Sequence, residues 1–175
     1  MLSGIIFIMA FIISVNYNVC NLFGGMPSLQ DLEKPESELS SELYSSDNTL
    51  LGKYFRYNRS PVKFDELSDE LVTTLLVTED IRFYDHSGID LKGLVRATYG
   101  VFKNVATFGS SGLEGGGSTI TQQLAKNLFK IRREKKGTLS NVPFLGLIIS
   151  KVKEWIVAVK LEEFYTKKEI LSMYL

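Results

Sequence analysis

The first thirty residues contain no charged side chain, and the first charge in the chain is Asp31. Within this stretch, residues 2–15 read LSGIIFIMAFIISV. Such an apolar run favours a position covered by lipid or by protein, because its removal from water is favourable. The run is shorter than the roughly 20 residues that span a bilayer, although apolar side chains continue to Phe23. We interpret residues 1–24 as the outer part of a single membrane anchor, with a signal peptide or a buried helix as alternatives.

The charges of the remaining chain are divided into two blocks. Residues 31–90 contain 14 acidic and six basic residues, whereas residues 126–160 contain nine basic and two acidic residues. The blocks either pair with each other within one fold, or the basic block contacts phosphate groups. Few aromatic residues accompany the basic block, and no nucleic-acid-binding signature is present, so no nucleic-acid partner is expected. The only cysteine, Cys20, excludes an internal disulfide.

The spacing of apolar residues predicts a mainly α-helical fold with a small β-hairpin. Residues 25–60 are interpreted as a polar linker followed by a hairpin over residues 41–59, which turns at Asp47 and Asn48. Residues 61–175 form the main domain. Its predicted helices cover residues 69–80 with Ser68 as the N-cap, residues 90–103, residues 119–130, and one or two helices within residues 150–175.

Two of these helices have a predicted buried face. In the first helix, the face consists of Leu71, Val72, Leu75, Leu76 and Thr78. In the second helix, it consists of Leu91, Leu94, Val95, Thr98 and Phe102. Residues 104–118 are rich in glycine and serine, which predicts a mobile loop between the second and third helices.

Residues 79–90, EDIRFYDHSGID, concentrate four carboxylates and the single histidine in one short stretch. Glu79 closes a predicted helix, where the helix dipole and neighbouring Asp80 disfavour its charged form, as suits a general base. The alternative is an ordinary helix-end acid that is paired with Arg82. A metal site at His86 would lack a second histidine or a cysteine, so a structural role near the turn at Gly88 is preferred.

Residues 112–119, GLEGGGST, differ at one position from a phosphate-binding P-loop. Ser118 stands where that loop requires lysine, so nucleotide hydrolysis is not expected. Glycines and free N–H groups at the start of the following helix would still favour an anion. Further donors there are Thr119, Thr121, Gln122 and Gln123. The alternative is a flexible loop followed by a capped helix.

Lys151 and Glu154 are three residues apart on one predicted helix face. Such a pair is either a solvated ion pair or the second carboxylate, with its cation, of a site for glycosyl chemistry.

Four stretches in order resemble the motifs of glycosyltransferase family 51, the peptidoglycan transglycosylase domain of class A penicillin-binding proteins and of monofunctional transglycosylases. They are EDIRFYDHSGID, GGSTITQQLAKN, SKVKEWIVAVKLE and YTKKEILSMYL. Ser150 departs from the arginine that is usual in the third motif. The family normally continues past the position of Leu175, so we expect a fragment that lacks the end of the domain.

The resemblance implies a lysozyme-like fold with a small membrane-embedded lobe, to which residues 144–149 would belong. It implies a single-pass protein of the bacterial plasma membrane with its catalytic domain on the outer face. The implied reaction joins lipid II into glycan strands with inversion and releases undecaprenyl pyrophosphate. The implied partners are lipid II, the growing glycan strand, membrane lipids and proteins of cell-wall synthesis or division.

The resemblance also implies roles for individual residues. Glu79 matches the general base, and Glu154 matches the second catalytic glutamate. The predicted substrate-binding residues are Arg82, Ser118, Thr119, Thr121, Gln122, Gln123, Lys126 and Lys151. Asp80, Phe83, His86 and Gly88 are predicted to shape the first motif. No cofactor is required and no dedicated metal site is expected, although Mg²⁺ or Mn²⁺ is compatible with the reaction. The rival functions are a lysozyme-type glycan hydrolase and an inactive membrane scaffold.

Overall fold

The computed structural model describes residues 2–33, 41–54, 62–107, 116–129 and 137–175. These residues form a mainly helical fold with one small antiparallel sheet, which confirms the predicted fold class at that level. The helices are α1 (Leu2–Asn16), α2 (Leu29–Glu33), α3 (Asp69–Glu79), α4 (Leu91–Ala106), α5 (Ile120–Leu128), α6 (Pro143–Phe164) and α7 (Lys167–Tyr174). The strands are β1 (Ser41–Tyr44) and β2 (Leu50–Tyr54).

The two strands form the predicted hairpin. Ser41 lies opposite Tyr54 in an antiparallel register, and Asn48 has a φ of 61° in the turn. Asparagine tolerates this left-handed conformation better than most residues, which explains the turn at this point. The rest of the linker and the predicted continuation of the hairpin fall partly on residues 34–40 and 55–61, which lie outside the described residues.

The N-terminal apolar run forms helix α1, whose last turn packs on α6. Val15 is buried together with Phe23, Ile149 and Val152 in a small apolar cluster. Among the helices of the described residues, none is long and apolar enough to cross a membrane.

Helix α3 begins and ends almost where the sequence predicts. The Ser68 side chain accepts the backbone N–H of Leu71 at 3.2 Å, as expected of an N-cap. The buried face is only partly as predicted. Val72, Leu75 and Leu76 pack against the main core, whereas Leu71 and Thr78 are exposed.

Helix α4 does not bury the face that its apolar residues predict. Leu91, Val95, Thr98 and Phe102 are exposed, and Leu94 is half-buried. The helix instead approaches the rest of the described chain through small residues. A Cβ atom on Gly93 would lie 3.1 Å from Nη2 of Arg82, and a Cβ atom on Gly117 would meet Ala97 Cβ at 3.0 Å. A contact this close has no space for large apolar side chains.

The main core joins α2, α5, α6 and α7 around the first-motif residue Phe83. Its buried members are Leu32, Phe83, Ile120, Leu124, Ala125, Val157, Leu161, Ile170 and Leu171. The predicted third helix is α5, which ends at Leu128 rather than Lys130. Most of the predicted mobile loop, residues 108–115, lies outside the described residues.

Candidate active site

Glu79 is the last residue of α3, and its side chain is held by a residue of α5. Its Oε2 atom accepts a hydrogen bond of 2.6 Å from Nε2 of Gln123. The Oε1 atom of Gln123 accepts a bond of 2.9 Å from the hydroxyl of Tyr174 in α7. The alternative pairing of Glu79 with Arg82 is not found, because the Arg82 guanidinium contacts Asp90 at 2.5 and 3.0 Å.

An open cleft lies beside the Glu79 carboxylate. Its walls come from the end of α3, the beginning of α4 and the segment that leads into α5. The lining residues are Glu79, Asp80, Ile81, Arg82, Asp90, Gly93, Arg96, Gly116, Gly117, Ser118 and Thr119. The structure therefore brings together residues of the first two predicted motifs, which are separated by residues 91–115 in the sequence.

Asp80 connects these two motifs from a buried position. Its carboxylate accepts the backbone N–H of Ile120 at 3.1 Å and lies 3.2 Å from Nε2 of His86. The start of α5 was predicted to offer free N–H groups to an anion. Two of these groups are used inside the protein, since Asp80 accepts from Ile120 and Thr119 accepts from Gln122 at 3.2 Å. The anion at the N-terminus of α5 is therefore the carboxylate of Asp80.

Gly88 allows the first motif to approach both α5 and α6. Its φ is +84°, and a Cβ atom there would lie 2.8 Å from the carbonyl carbon of Ala158 in α6. Its carbonyl oxygen accepts hydrogen bonds from Oγ1 of Thr119 at 2.8 Å and from Nε2 of Gln122 at 2.9 Å. Glycine fits this position because it tolerates positive φ and has no Cβ atom to collide with the helix backbone.

Lys151 links the predicted second glutamate to the cleft wall. Its Nζ atom lies 3.1 Å from Oε2 of Glu154 and 2.8 Å from Oγ of Ser118. Glu154 is only 2% exposed, so the alternative of a solvated ion pair is wrong. A buried carboxylate requires a cation and hydrogen bonds, and Lys151 supplies both.

Several predicted site residues face the protein interior rather than the cleft. Oγ1 of Thr121 donates to Glu162 at 2.6 Å, and Lys167 bonds the same carboxylate at 2.8 Å. Lys167 also donates to the carbonyl oxygen of His86 at 2.7 Å and lies 4.2 Å from the centre of the Phe83 ring. These contacts fix the first motif against α7. Lys126 lies exposed on α5.

The pKa values of Asp90 and Tyr174 are both shifted by their surroundings. The hydrogen bond from Arg82 lowers the pKa of Asp90, although partial burial opposes this effect. Burial raises the pKa of Tyr174, and the negative charge of Glu79 raises it further. The described residues contain no group of three His, Cys, Asp or Glu side chains suited to hold a metal ion.

Sequence reasoning missed two residues of this site. Arg96 lines the cleft and lies one helical turn after Gly93, so the spacing on α4 could have identified it. Tyr174 reaches Gln123 from a position 51 residues away, and no local pattern in the sequence indicates that contact.

Comparison with known proteins places this fold and cleft in a family. The Transglycosylase family matches residues 47–175, and the chain belongs to that family. Penicillin-binding protein 1A of Escherichia coli is 35% identical over 150 residues, which are 86% of this chain and 16% of that protein. Penicillin-binding protein 1A of Vibrio cholerae is 33% identical over 150 residues, which are also 86% of this chain and 16% of that protein. Penicillin-binding protein 1F of Bacillus subtilis is 35% identical over 136 residues, which are 78% of this chain and 16% of that protein. The chain thus spans about a sixth of the length of these relatives.

Proposed function

We propose that this chain is a peptidoglycan glycosyltransferase that joins lipid II into glycan strands and uses Glu79 as the general base. The observation that carries the proposal is the Glu79 carboxylate, which stands at the edge of an open cleft and is oriented by Gln123 at 2.6 Å. Membership of the Transglycosylase family and similarity to penicillin-binding proteins support the reaction class.

In the proposed reaction, the 4-hydroxyl of the GlcNAc unit of one lipid II attacks the anomeric carbon of MurNAc in the other substrate. The new C–O bond forms as the bond to undecaprenyl pyrophosphate breaks, and the configuration at the anomeric carbon inverts. A sugar hydroxyl is a weak nucleophile at neutral pH, so Glu79 takes its proton as the bond forms. The hydrogen bond from Gln123 fixes the direction of the Glu79 carboxylate. The carboxylate then needs less reorientation before it can accept the proton.

The departing pyrophosphate is an anion and requires positive charge in the cleft. We assign Lys151 and Glu154 to the positioning of the donor sugar and its pyrophosphate, because Lys151 bonds both Glu154 and the cleft residue Ser118. Arg82 keeps its predicted role in substrate binding, and Arg96 adds a second cation on the same wall. Lys126 keeps its predicted role as a substrate-binding residue.

For three residues, we narrow the predicted substrate-binding role to support of the cleft wall. The side chains of Thr119 and Gln122 bond the carbonyl of Gly88, and that of Thr121 bonds Glu162. Gln123 orients the Glu79 carboxylate through its hydrogen bond. The residues that hold the first motif in place are Asp80, Phe83, His86 and Gly88. Mg²⁺ or Mn²⁺ is compatible with the proposed reaction, as the resemblance to the family implies.

The proposed place of action is the outer face of the bacterial plasma membrane, with a lysozyme-like domain whose small lobe contacts lipid. Phe144 and Leu147 at the start of α6 are 74% and 63% exposed, which supports contact with an apolar phase. Lipid II, the growing strand and membrane lipids are the proposed partners, together with proteins of cell-wall synthesis or division.

The test is an assay of lipid II consumption and product length on a gel, with the full natural chain in detergent or bilayers. The wild-type protein should give a ladder of strands, and Glu79→Gln should give none while remaining folded. Asp85→Asn is the matched control, because Asp85 is an exposed acid in the same motif, and it should retain most of the activity.

Other outcomes would contradict the proposal. Near-normal polymerisation by folded Glu79→Gln would remove Glu79 as the base. Digestion of glycan polymer without consumption of lipid II would identify a hydrolase. The absence of turnover in a folded, membrane-bound wild-type protein would identify a scaffold.

A further inference from the structure

A chain of two hydrogen bonds connects the end of α7 to the candidate base. The hydroxyl of Tyr174 lies 2.9 Å from Oε1 of Gln123, and Nε2 of Gln123 lies 2.6 Å from Oε2 of Glu79. The three residues belong to three different helices, α7, α5 and α3. The contacts bridge 51 and 44 positions of the sequence, so they exist only in the folded domain.

The direction of this chain follows from its donors and acceptors. An ionised carboxylate only accepts hydrogen bonds, so the NH₂ group of Gln123 must face Glu79 and its oxygen must face Tyr174. An amide oxygen also only accepts, so the Tyr174 hydroxyl must donate. Burial raises the pKa of Tyr174, with a further contribution from Glu79. The phenol therefore keeps the proton that this arrangement requires.

We propose that Tyr174 is a positioning residue for glycosyl transfer. It holds the Gln123 amide with its donor group toward Glu79 and thereby sets the direction of the carboxylate. This inference rests on the proposed role of Glu79 as the general base.

Gln123 alone would not hold that direction. The terminal torsion of a glutamine side chain is broad and has no strong preference for either orientation of the amide. Without the Tyr174 hydroxyl, the oxygen of Gln123 loses the donor that distinguishes it from the nitrogen. In the reversed orientation the amide oxygen would face Glu79, and two acceptors cannot bond each other.

The hydroxyl and the ring of Tyr174 have separable functions. The ring packs against the main core, whereas the hydroxyl reaches Gln123. Tyr174→Phe therefore keeps the packing and removes only the donor. Tyr165→Phe is the matched control, because the Tyr165 hydroxyl bonds the backbone carbonyls of Leu32 and Glu33 at 2.8 Å and does not line the cleft.

The experiment measures initial rates of lipid II polymerisation over a range of lipid II concentrations, with the full natural chain. For Tyr174→Phe we expect kcat to fall about tenfold, since misplacement of a reacting group by a fraction of an ångström has effects of this order. We expect KM for lipid II to change less than about twofold, because no contact with substrate is removed. Tyr165→Phe should keep the wild-type kcat.

A double-mutant cycle tests whether Tyr174 acts through Gln123. In a Gln123→Ala background, Tyr174→Phe should cause no further loss of kcat, because residues that act as a unit are not additive. A wild-type kcat for Tyr174→Phe, a change confined to KM, or the same loss in both backgrounds would overturn the inference.

Glu79→Gln, measured in the same preparations, separates the two proposals. If Glu79→Gln is inactive and Tyr174→Phe has wild-type kinetics, only the role of Tyr174 is wrong. If Glu79→Gln remains active, or if the wild-type protein makes no polymer, the proposed function fails and the role of Tyr174 fails with it.

Discussion

The carboxylate of Asp80, the residue that directly follows helix α3, accepts the backbone N–H of Ile120 at the start of α5 at 3.1 Å. The two residues are 40 positions apart, and both are buried. A negative charge at a helix N-terminus is favourable, and here it also fixes the end of the helix that carries Glu79 against the helix that carries Gln123. The position of Glu79 relative to Gln123 thus depends on its largely buried neighbour Asp80.

Asp80→Asn removes this charge and should destabilise the domain. We expect a loss of about 1.5–3 kcal/mol, the usual contribution of a buried hydrogen bond to a charged group. Thermal or denaturant unfolding measures it. Asp85→Asn is the control and should stay within about 0.5 kcal/mol of wild type, because exposed positions away from such contacts tolerate change. Equal effects of both variants would show that the buried bond contributes nothing.

Gly88→Ala should be among the most damaging small substitutions in the chain. The new Cβ atom would lie 2.8 Å from the backbone of Ala158, at a residue with a φ of +84°. We expect a loss of about 2–5 kcal/mol from strain and collision together. Gly100→Ala in α4 is the control, since nothing lies within 4 Å of its Cβ position, and it should gain about 0.5–1 kcal/mol. A neutral Gly88→Ala protein would contradict the close approach to α6.

Lys151→Met should impair both stability and polymerisation. It removes the cation that lies 3.1 Å from buried Glu154 and the donor to Ser118. We expect a loss of about 1.5–3 kcal/mol in unfolding experiments and a clear fall in the rate of lipid II consumption. The control is Lys92→Met, at an exposed position of α4, with a change below about 0.5 kcal/mol. Full activity in a stable Lys151→Met protein would remove Lys151 from the site.

The Arg82–Asp90 pair should make stability depend on pH in the acid range. The hydrogen bond from Arg82 lowers the pKa of Asp90 in the folded protein. The ionised Asp90 carboxylate therefore contributes fully to the free energy of unfolding above its unfolded pKa of about 3.9. This contribution is lost as the pH falls through the lower pKa that Asp90 has in the folded protein. Wild type should be more stable than Asp90→Asn at pH 7, and the difference should shrink below pH 4. A constant difference between pH 7 and pH 3 would contradict this linkage.

The features that were predictable from sequence are those set by local chemistry. Ser68 caps α3 where its hydroxyl can reach the N–H of Leu71, and Asn48 turns the hairpin because it tolerates positive φ. Glu79, Arg82 and Ser118 were predicted as site residues from motif resemblance, and the structure places all three at one cleft.

The features that were missed depend on contacts between distant residues. The exposed face of α4 could not be predicted from apolar spacing, because the helix is positioned by the small residues Gly93 and Ala97. The occupied N-terminus of α5 depends on Asp80, which lies 40 positions earlier. The orientation of Gln123 depends on Tyr174, and no periodicity in the sequence reports that pairing.

The contacts of Gly88 and Asp80 with the start of α5 have a consequence for sequence variation. They fix Thr119 and Ile120 directly to the first motif, so the alignment of the two motifs does not depend on the number of residues between Thr107 and Gly116. The entropy of closing a loop changes only slowly with its length, by about 0.6 kcal/mol per doubling. Insertions and deletions in this interval are therefore expected to accumulate during evolution at little cost to catalysis.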